Sequence, residues 1–172
     1  MDTVQDYLDA FLQLGDAAFR ERFCHPFFLY ADEHGSTAFK SVHTQMSDSS
    51  AKGVSGSNKP ITDFRCLTPR AGPDGSFPSK MLVGRSQNRD LAIEHSTVSK
   101  RHAFIVLDEE KNAWKLGDSG STNGTFLNGR TVDSGEPVYI RDGNIVSFGD
   151  CDYLFYSPEG FAAMLERLSA EG

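Results

Sequence analysis

Apolar positions near the start of the chain recur at three- and four-residue steps. Val4, Leu8, Phe11, Ala18 and Phe19 predict an amphipathic helix over the first twenty or so residues. Asp2 or Thr3 can cap it, and Asp6 sits where the helix dipole favours an acid. Gly15 is where such a helix should bend or break. Two short apolar runs follow, at 27–30 and 37–39, with Asp32, Glu33, His34 and Gly35 between them, the pattern of a β-hairpin. Residues 45–60 are rich in Ser, Gly, Lys and Asn with almost no apolar anchor, and read as an exposed linker.

After Ile61 the pattern changes to short apolar stretches separated by turn residues. Strands are predicted at 64–67, 80–83, 103–107, 113–116, 125–127, 138–140, 145–148 and 153–156. Asn128-Gly129 and Asp142-Gly143 are tight-turn pairs, because Gly accepts positive φ and Asn or Asp tolerates it. This spacing reads as an all-β sandwich or barrel. At the end, Ser157 can cap a last helix with Pro158 in its first turn and Phe161, Met164, Leu165 and Leu168 as its apolar stripe. The expected layout is an α+β extension over 1–60, a β domain over 61–157 and a helix over 158–172, with the two terminal helices able to pack together.

Composition narrows the function. Hydrophobic residues are 38% and charged residues 24% of 172, ordinary for a folded globular chain. The formal net charge of −7 argues against a general nucleic-acid or anionic-membrane binder but leaves room for a local basic pocket. Cys24, Cys66 and Cys151 are odd in number and widely spaced, which fits reduced thiols better than a zinc ribbon or redox pair. His25, His34, His43 and His95 show no metal-ligand spacing. With no basic-apolar leader and no long apolar span, the expectation is a soluble cytoplasmic protein without metal or cofactor.

Three segments at strand ends carry the chemistry: Gly84-Arg85, then Ser99-Lys100-Arg101-His102, then Ser121-Thr122-Asn123-Gly124-Thr125. Loops from one rim of a sandwich can converge. Arg85 offers a planar fork that matches two phosphate oxygens, and Lys100 a mobile cation. Ser99 and Thr122 offer hydroxyls, and Asn123 both a donor and an acceptor. Such a set suits a phosphorylated side chain, with its near-double negative charge and three acceptor oxygens.

The order G-R, S-x-x-H, N-G-T, then the Asn128-Gly129 turn, resembles the forkhead-associated (FHA) family. Leu91-Ala92-Ile93 and the run from Gly143 to Gly149 extend the likeness, which covers roughly residues 61–157. The resemblance implies a β-sandwich of about eleven strands whose apical loops bind a phosphothreonine peptide. It assigns Arg85 and Ser99 to the phosphate, Lys100 as a further cation, Thr122 to the phosphate, and Asn123 to the peptide backbone. Gly84, His102 and Gly124 would brace the loops. Thr97, with the loop from 129 to 134, lies where the family reads the third residue after the phosphothreonine. The implied partner is a phosphothreonine protein such as a Ser/Thr kinase or its substrate.

Other readings compete with this one. Arg85 alone is a surface ion-pair partner, Ser99 alone a turn residue, and Lys100-Arg101 a solvated charge pair. Ser99 and His102 together echo a nucleophile and base, yet no nucleophile elbow or third member accompanies them. Gly117-Asp118-Ser119-Gly120 echoes a serine protease but reads better as the turn into the third loop. A scaffold that binds through the sandwich face or the extension, regardless of phosphorylation, remains an alternative. So does self-recognition of a phosphorylated Thr3, Thr37 or Thr44.

Overall fold

Thr3 starts the first helix. Its hydroxyl accepts the Asp6 N–H at 3.3 Å while the Asp6 carboxylate accepts the Thr3 N–H at 3.0 Å, a reciprocal cap. Helix α1 runs Val4–Leu14 and breaks at Gly15, whose φ of 79° a residue with a Cβ rarely adopts, before α2 at Asp16–Arg22. Val4, Leu8, Phe11 and Phe19 are buried as their spacing predicts, but Ala18 faces solvent because the break rotates α2 out of phase with α1. The computed structural model describes residues 3–31 and 60–171. The hairpin partner expected at 37–39 lies outside them, as do His34, His43, Thr37 and Thr44.

Among the described residues, eleven strands form two sheets. In chain order they are β1 (Phe27–Tyr30), β2 (Arg65–Leu67), β3 (Lys80–Gly84), β4 (Leu91–Ala92), β5 (Ala103–Asp108), β6 (Ala113–Asp118), β7 (Thr125–Leu127), β8 (Arg130–Thr131), β9 (Val138–Ile140), β10 (Ile145–Phe148) and β11 (Cys151–Tyr156). One sheet has the order β2-β1-β11-β10-β7-β8, the other β4-β3-β5-β6-β9. A short 3-10 turn, Ile61–Asp63, leads into β2. Helix α3, Pro158–Glu171, closes the described chain.

The alternation of side chains along β1 explains the layering. Phe28 packs between the two sheets with Met81, Ile105, Phe148 and Phe155. Phe27 and Leu29 point the other way, into a second core with Tyr7, Phe11, Phe19, Phe161 and Leu165 from the helices. The β1–β11 centre of the six-stranded sheet is therefore a middle layer, buried on both faces, which is why β1 reads as a continuous apolar run. Phe27 and Phe161 stack with centroids 3.8 Å apart, and Tyr7 meets both rings edge-on. The two terminal helical segments thus pack together over this sheet, as the sequence suggests.

Two turns set the far strands. At Asn128-Gly129 both residues have positive φ, 49° and 80°, the geometry of a hairpin turn that twists with its strands. The Asn128 side chain also accepts the Ile145 N–H at 2.8 Å. Asp142 accepts the Ser157 N–H at 2.6 Å, and the Ser157 hydroxyl accepts the Gly160 N–H at 3.0 Å, so α3 is capped against the β10–β11 end of the sheet.

Candidate functional site

The loops after β3, before β5 and after β6 meet at one rim because backbone bonds tie them together. Arg85 N–H donates to Ser99 C=O at 2.9 Å, and His102 N–H to Val83 C=O at 2.9 Å. Gly84 lies so close to the Lys100 carbonyl that a Cβ there would collide with it. The glycine of the Gly84-Arg85 pair is thus required by a close approach of main chains. It places Arg85 beside Ser99 and Lys100.

His102 is the brace of the second and third loops. Its ring is fully buried, edge-on to Phe148 with centroids 5.9 Å apart. Nδ1 accepts the Ser99 N–H at 3.0 Å, so the ring proton sits on Nε2 and is donated to Gly124 C=O at 2.9 Å. Burial pushes the imidazole below its usual value, while the bond to Gly124 and the charge of Asp118 pull it back. Because Nδ1 holds the serine's backbone and not its hydroxyl, Ser99 and His102 are not arranged as a nucleophile and base.

Asp118 organises the third loop, a role the sequence reading did not assign. Its carboxylate accepts from Gly120 N–H at 2.8 Å, Ser121 N–H at 3.0 Å, Ser121 Oγ at 2.5 Å and Thr125 Oγ1 at 2.7 Å. Burial pushes this carboxyl up, but those bonds outweigh it and hold it below the ordinary range. Ser121 Oγ accepts in turn from Gly124 N–H at 3.0 Å. The Asp-x-x-Ser spacing was the available signal, since a short carboxylate next to a turn commonly captures the N–H groups that follow it. The protease-like Gly117–Gly120 stretch is thus a loop anchor.

Ser99 Oγ accepts the Thr122 N–H at 3.0 Å, which leaves its O–H hydrogen to be donated outward. Asn123 Nδ2 donates to Thr97 C=O at 2.9 Å, and among the described residues its Oδ1 accepts nothing. The Thr97 hydroxyl pairs with His95 Nδ1 at 2.8 Å and accepts the Asp150 N–H at 3.0 Å, so this side chain holds the loop from inside. Arg85, Lys100, Thr122 and Asn123 are exposed and Ser99 half-buried. Among the described residues, neither the Arg85 guanidinium nor the Lys100 ammonium meets a carboxylate. The structure therefore gathers Arg85, Ser99, Lys100, Thr122 and Asn123 on one rim, supported by Gly84, His102 and Gly124. No cluster of metal-ligating side chains exists among the described residues, nor a helix long and apolar enough to cross a membrane.

Comparison with known proteins bears on this rim. The family model described as FHA domain matches residues 81–149, a span that holds all three loops. Over 90 residues the chain is 40% identical to proliferation marker protein Ki-67 of Mus musculus, covering 50% of this chain and 3% of that protein. Over 102 residues it is 33% identical to mediator of DNA damage checkpoint protein 1 of the same species, covering 55% and 6%. The chain thus spans a small fraction of the length of these curated relatives. Among solved structures, the N-terminal FHA domain of S. cerevisiae Rad53p in complex with a phosphothreonine peptide is 23% identical, covers 58% of this chain and 89% of that one, and aligns with a TM-score of 0.46.

Proposed function

We propose, from the premise that this chain carries a forkhead-associated domain across residues 81–149, that its apical rim captures phosphothreonine on a partner protein and performs no catalysis. The observation that carries this reading is a pair of exposed cations, Arg85 and Lys100, with no acidic neighbour among the described residues, set beside two hydroxyls on rigidly tied loops. On a chain of net charge −7, such a pair has a clear use in meeting an anion from outside.

Each group then has a role its geometry supports. The Arg85 fork takes two phosphate oxygens. The Ser99 O–H, turned outward by its bond from Thr122 N–H, donates to the same phosphate. Lys100 and Thr122 complete the shell. Asn123 has its amide fixed by Thr97 C=O, so its Oδ1 can accept from the peptide backbone and set the register. Thr97 contributes to flanking specificity at one remove, by positioning Asn123. Gly84, His102 and Gly124 bind no ligand and hold the loops in place. No cofactor is needed, and the partner is a phosphothreonine protein, such as a Ser/Thr kinase or its substrate. A cytoplasmic site of action belongs to this reading and is supported by the free thiols of Cys24 and Cys151.

The test is a degenerate phosphothreonine peptide library with matched phosphoserine and unphosphorylated sets. Micromolar binding, about −8 kcal/mol, confined to phosphothreonine is expected. Equal binding of the unphosphorylated set would favour the phosphorylation-independent scaffold instead.

A further inference from the structure

The helices pack on the β1–β11 part of the six-stranded sheet, but the outer face of the five-stranded sheet leaves large apolar side chains in solvent. Leu82 is 39% exposed and Tyr139 40%. Leu82 stands opposite Phe104, and Phe104 opposite Gly117, in one cross-strand row. The Phe104 ring fills the space that a Cβ on Gly117 would need. Its far end therefore reaches over β6 at Gly117, and with Leu82 it forms an apolar shelf. Lys80 Nζ sits 4.5 Å from the centroid of that ring and has no acidic partner among the described residues. Asp108, on the same face, is already held by Lys115 at 2.8 Å and by the Tyr139 hydroxyl at 2.7 Å.

The shelf and the phosphate rim are linked by β3, whose last residue, Gly84, precedes Arg85. Leu82 and Arg85 lie on one chain segment three residues apart, about 10 Å at the rise of a strand. Lys80, Lys100 and Arg101 are exposed cations on a chain of net charge −7, and the Asp90 carboxylate beside Leu82 accepts the Leu82 N–H at 2.7 Å. From this geometry we infer that the shelf docks the stretch of the phosphorylated partner that flanks its phosphothreonine, taking one leucine- or phenylalanine-sized side chain on Leu82 and Phe104 and a carboxylate at Lys80. The inference rests on the phosphothreonine reading above. A second copy of this chain is a poorer occupant, because both copies carry the same −7 charge.

The probes are a short phosphothreonine peptide chosen for binding to the full chain, and longer peptides that keep this core between randomised flanks. Selected long peptides should carry an apolar residue near Asp or Glu and bind about tenfold tighter than the core, roughly the gain from burying one large apolar side chain. Leu82→Glu and Lys80→Glu change exposed positions. Each should abolish the gain and leave core-peptide affinity unchanged, and Lys80→Glu decides alone should Leu82→Glu misfold. No gain from any flank, or a gain that survives substitution, overturns the shelf but spares the phosphothreonine reading. Failure of every core peptide to bind the unaltered protein overturns both. A dimer in sedimentation that Leu82→Glu separates gives this face to a second copy and also overturns the inference.

Discussion

Replacing His102 by alanine should loosen the phosphate rim and the sandwich together, and the size of each effect follows from the ring's contacts. The imidazole is fully buried and makes two bonds, one from Ser99 N–H at 3.0 Å and one to Gly124 C=O at 2.9 Å. Alanine removes the acceptor that His102 provides for the Ser99 N–H. Orphaning this half-buried donor costs about 1–3 kcal/mol. Gly124 C=O is less affected, because Gly149 N–H still donates to it at 3.0 Å. The empty ring volume beside Phe148 adds a cavity term of about 1–2 kcal/mol. The sum is roughly 2–5 kcal/mol, a large part of the 5–15 kcal/mol typical of a domain. His102→Gln, which can restore one of the two bonds, should lose about half as much. Urea unfolding gives the stability change, and titration of the folded variants with a phosphothreonine peptide gives the binding change. Affinity should fall in both variants under conditions where they remain folded, since Ser99 is no longer held against Thr122. A loss of under about 1 kcal/mol in His102→Ala, with unaltered peptide affinity, would refute the bracing role.

Three further expectations follow from the same structure. Burial depresses the imidazoles of His25 and His102 below the usual 6.5, so both are favoured neutral in the fold; the stability this gives is complete above pH 6.5 and is lost as pH falls from there through the folded values, a trend that melting temperatures between pH 7.5 and 5 should show and that His25→Phe should flatten. Deleting residues 1–31 removes β1, whose Phe27, Phe28 and Leu29 are fully buried; at about 1.5–3 kcal/mol per side chain this rivals the whole stability of a domain, so residues 32–172 alone should lack cooperative thermal unfolding. Gly160→Ala would drive a Cβ into the Asp142 carboxylate that caps α3; a loss of about 1–2 kcal/mol in urea, with phosphopeptide affinity unchanged, is expected.

The strands after Ile61 were legible because each is bounded by turn residues with a local reason to turn. Asn128-Gly129 is the clearest, as both of its residues do adopt positive φ. The break at Gly15 and the Ser157 cap were legible for the same reason. What could not be read is non-local pairing. The run at 27–30 looks like half of a local hairpin, yet it sits between β2 and β11, partners 35 or more residues away in sequence. Nothing in its composition names them. The two-residue strands β4 and β8 are too short to show a period. At the rim, spacing identified which residues to suspect, because loop motifs keep a fixed distance to their strands. It did not reveal that Asp118 anchors the third loop, since a carboxylate in a Gly-Asp-Ser-Gly run looks the same whether it binds solvent or four N–H and O–H groups. Nor did it show that Thr97 spends its hydroxyl inside the loop.

The central claim is that Arg85 and Ser99 bind the phosphate itself. Its most direct test is calorimetric titration of one phosphothreonine peptide and its unphosphorylated twin against the unaltered chain, Arg85→Ala and Ser99→Ala, with circular dichroism as a check on folding. Each substitution removes at least one charge-assisted hydrogen bond worth about 1.5–3 kcal/mol, so affinity for the phosphopeptide should drop by at least roughly tenfold while the fold is retained. Undiminished affinity in both variants, or equal affinity of the unaltered chain for the two peptides, would contradict it.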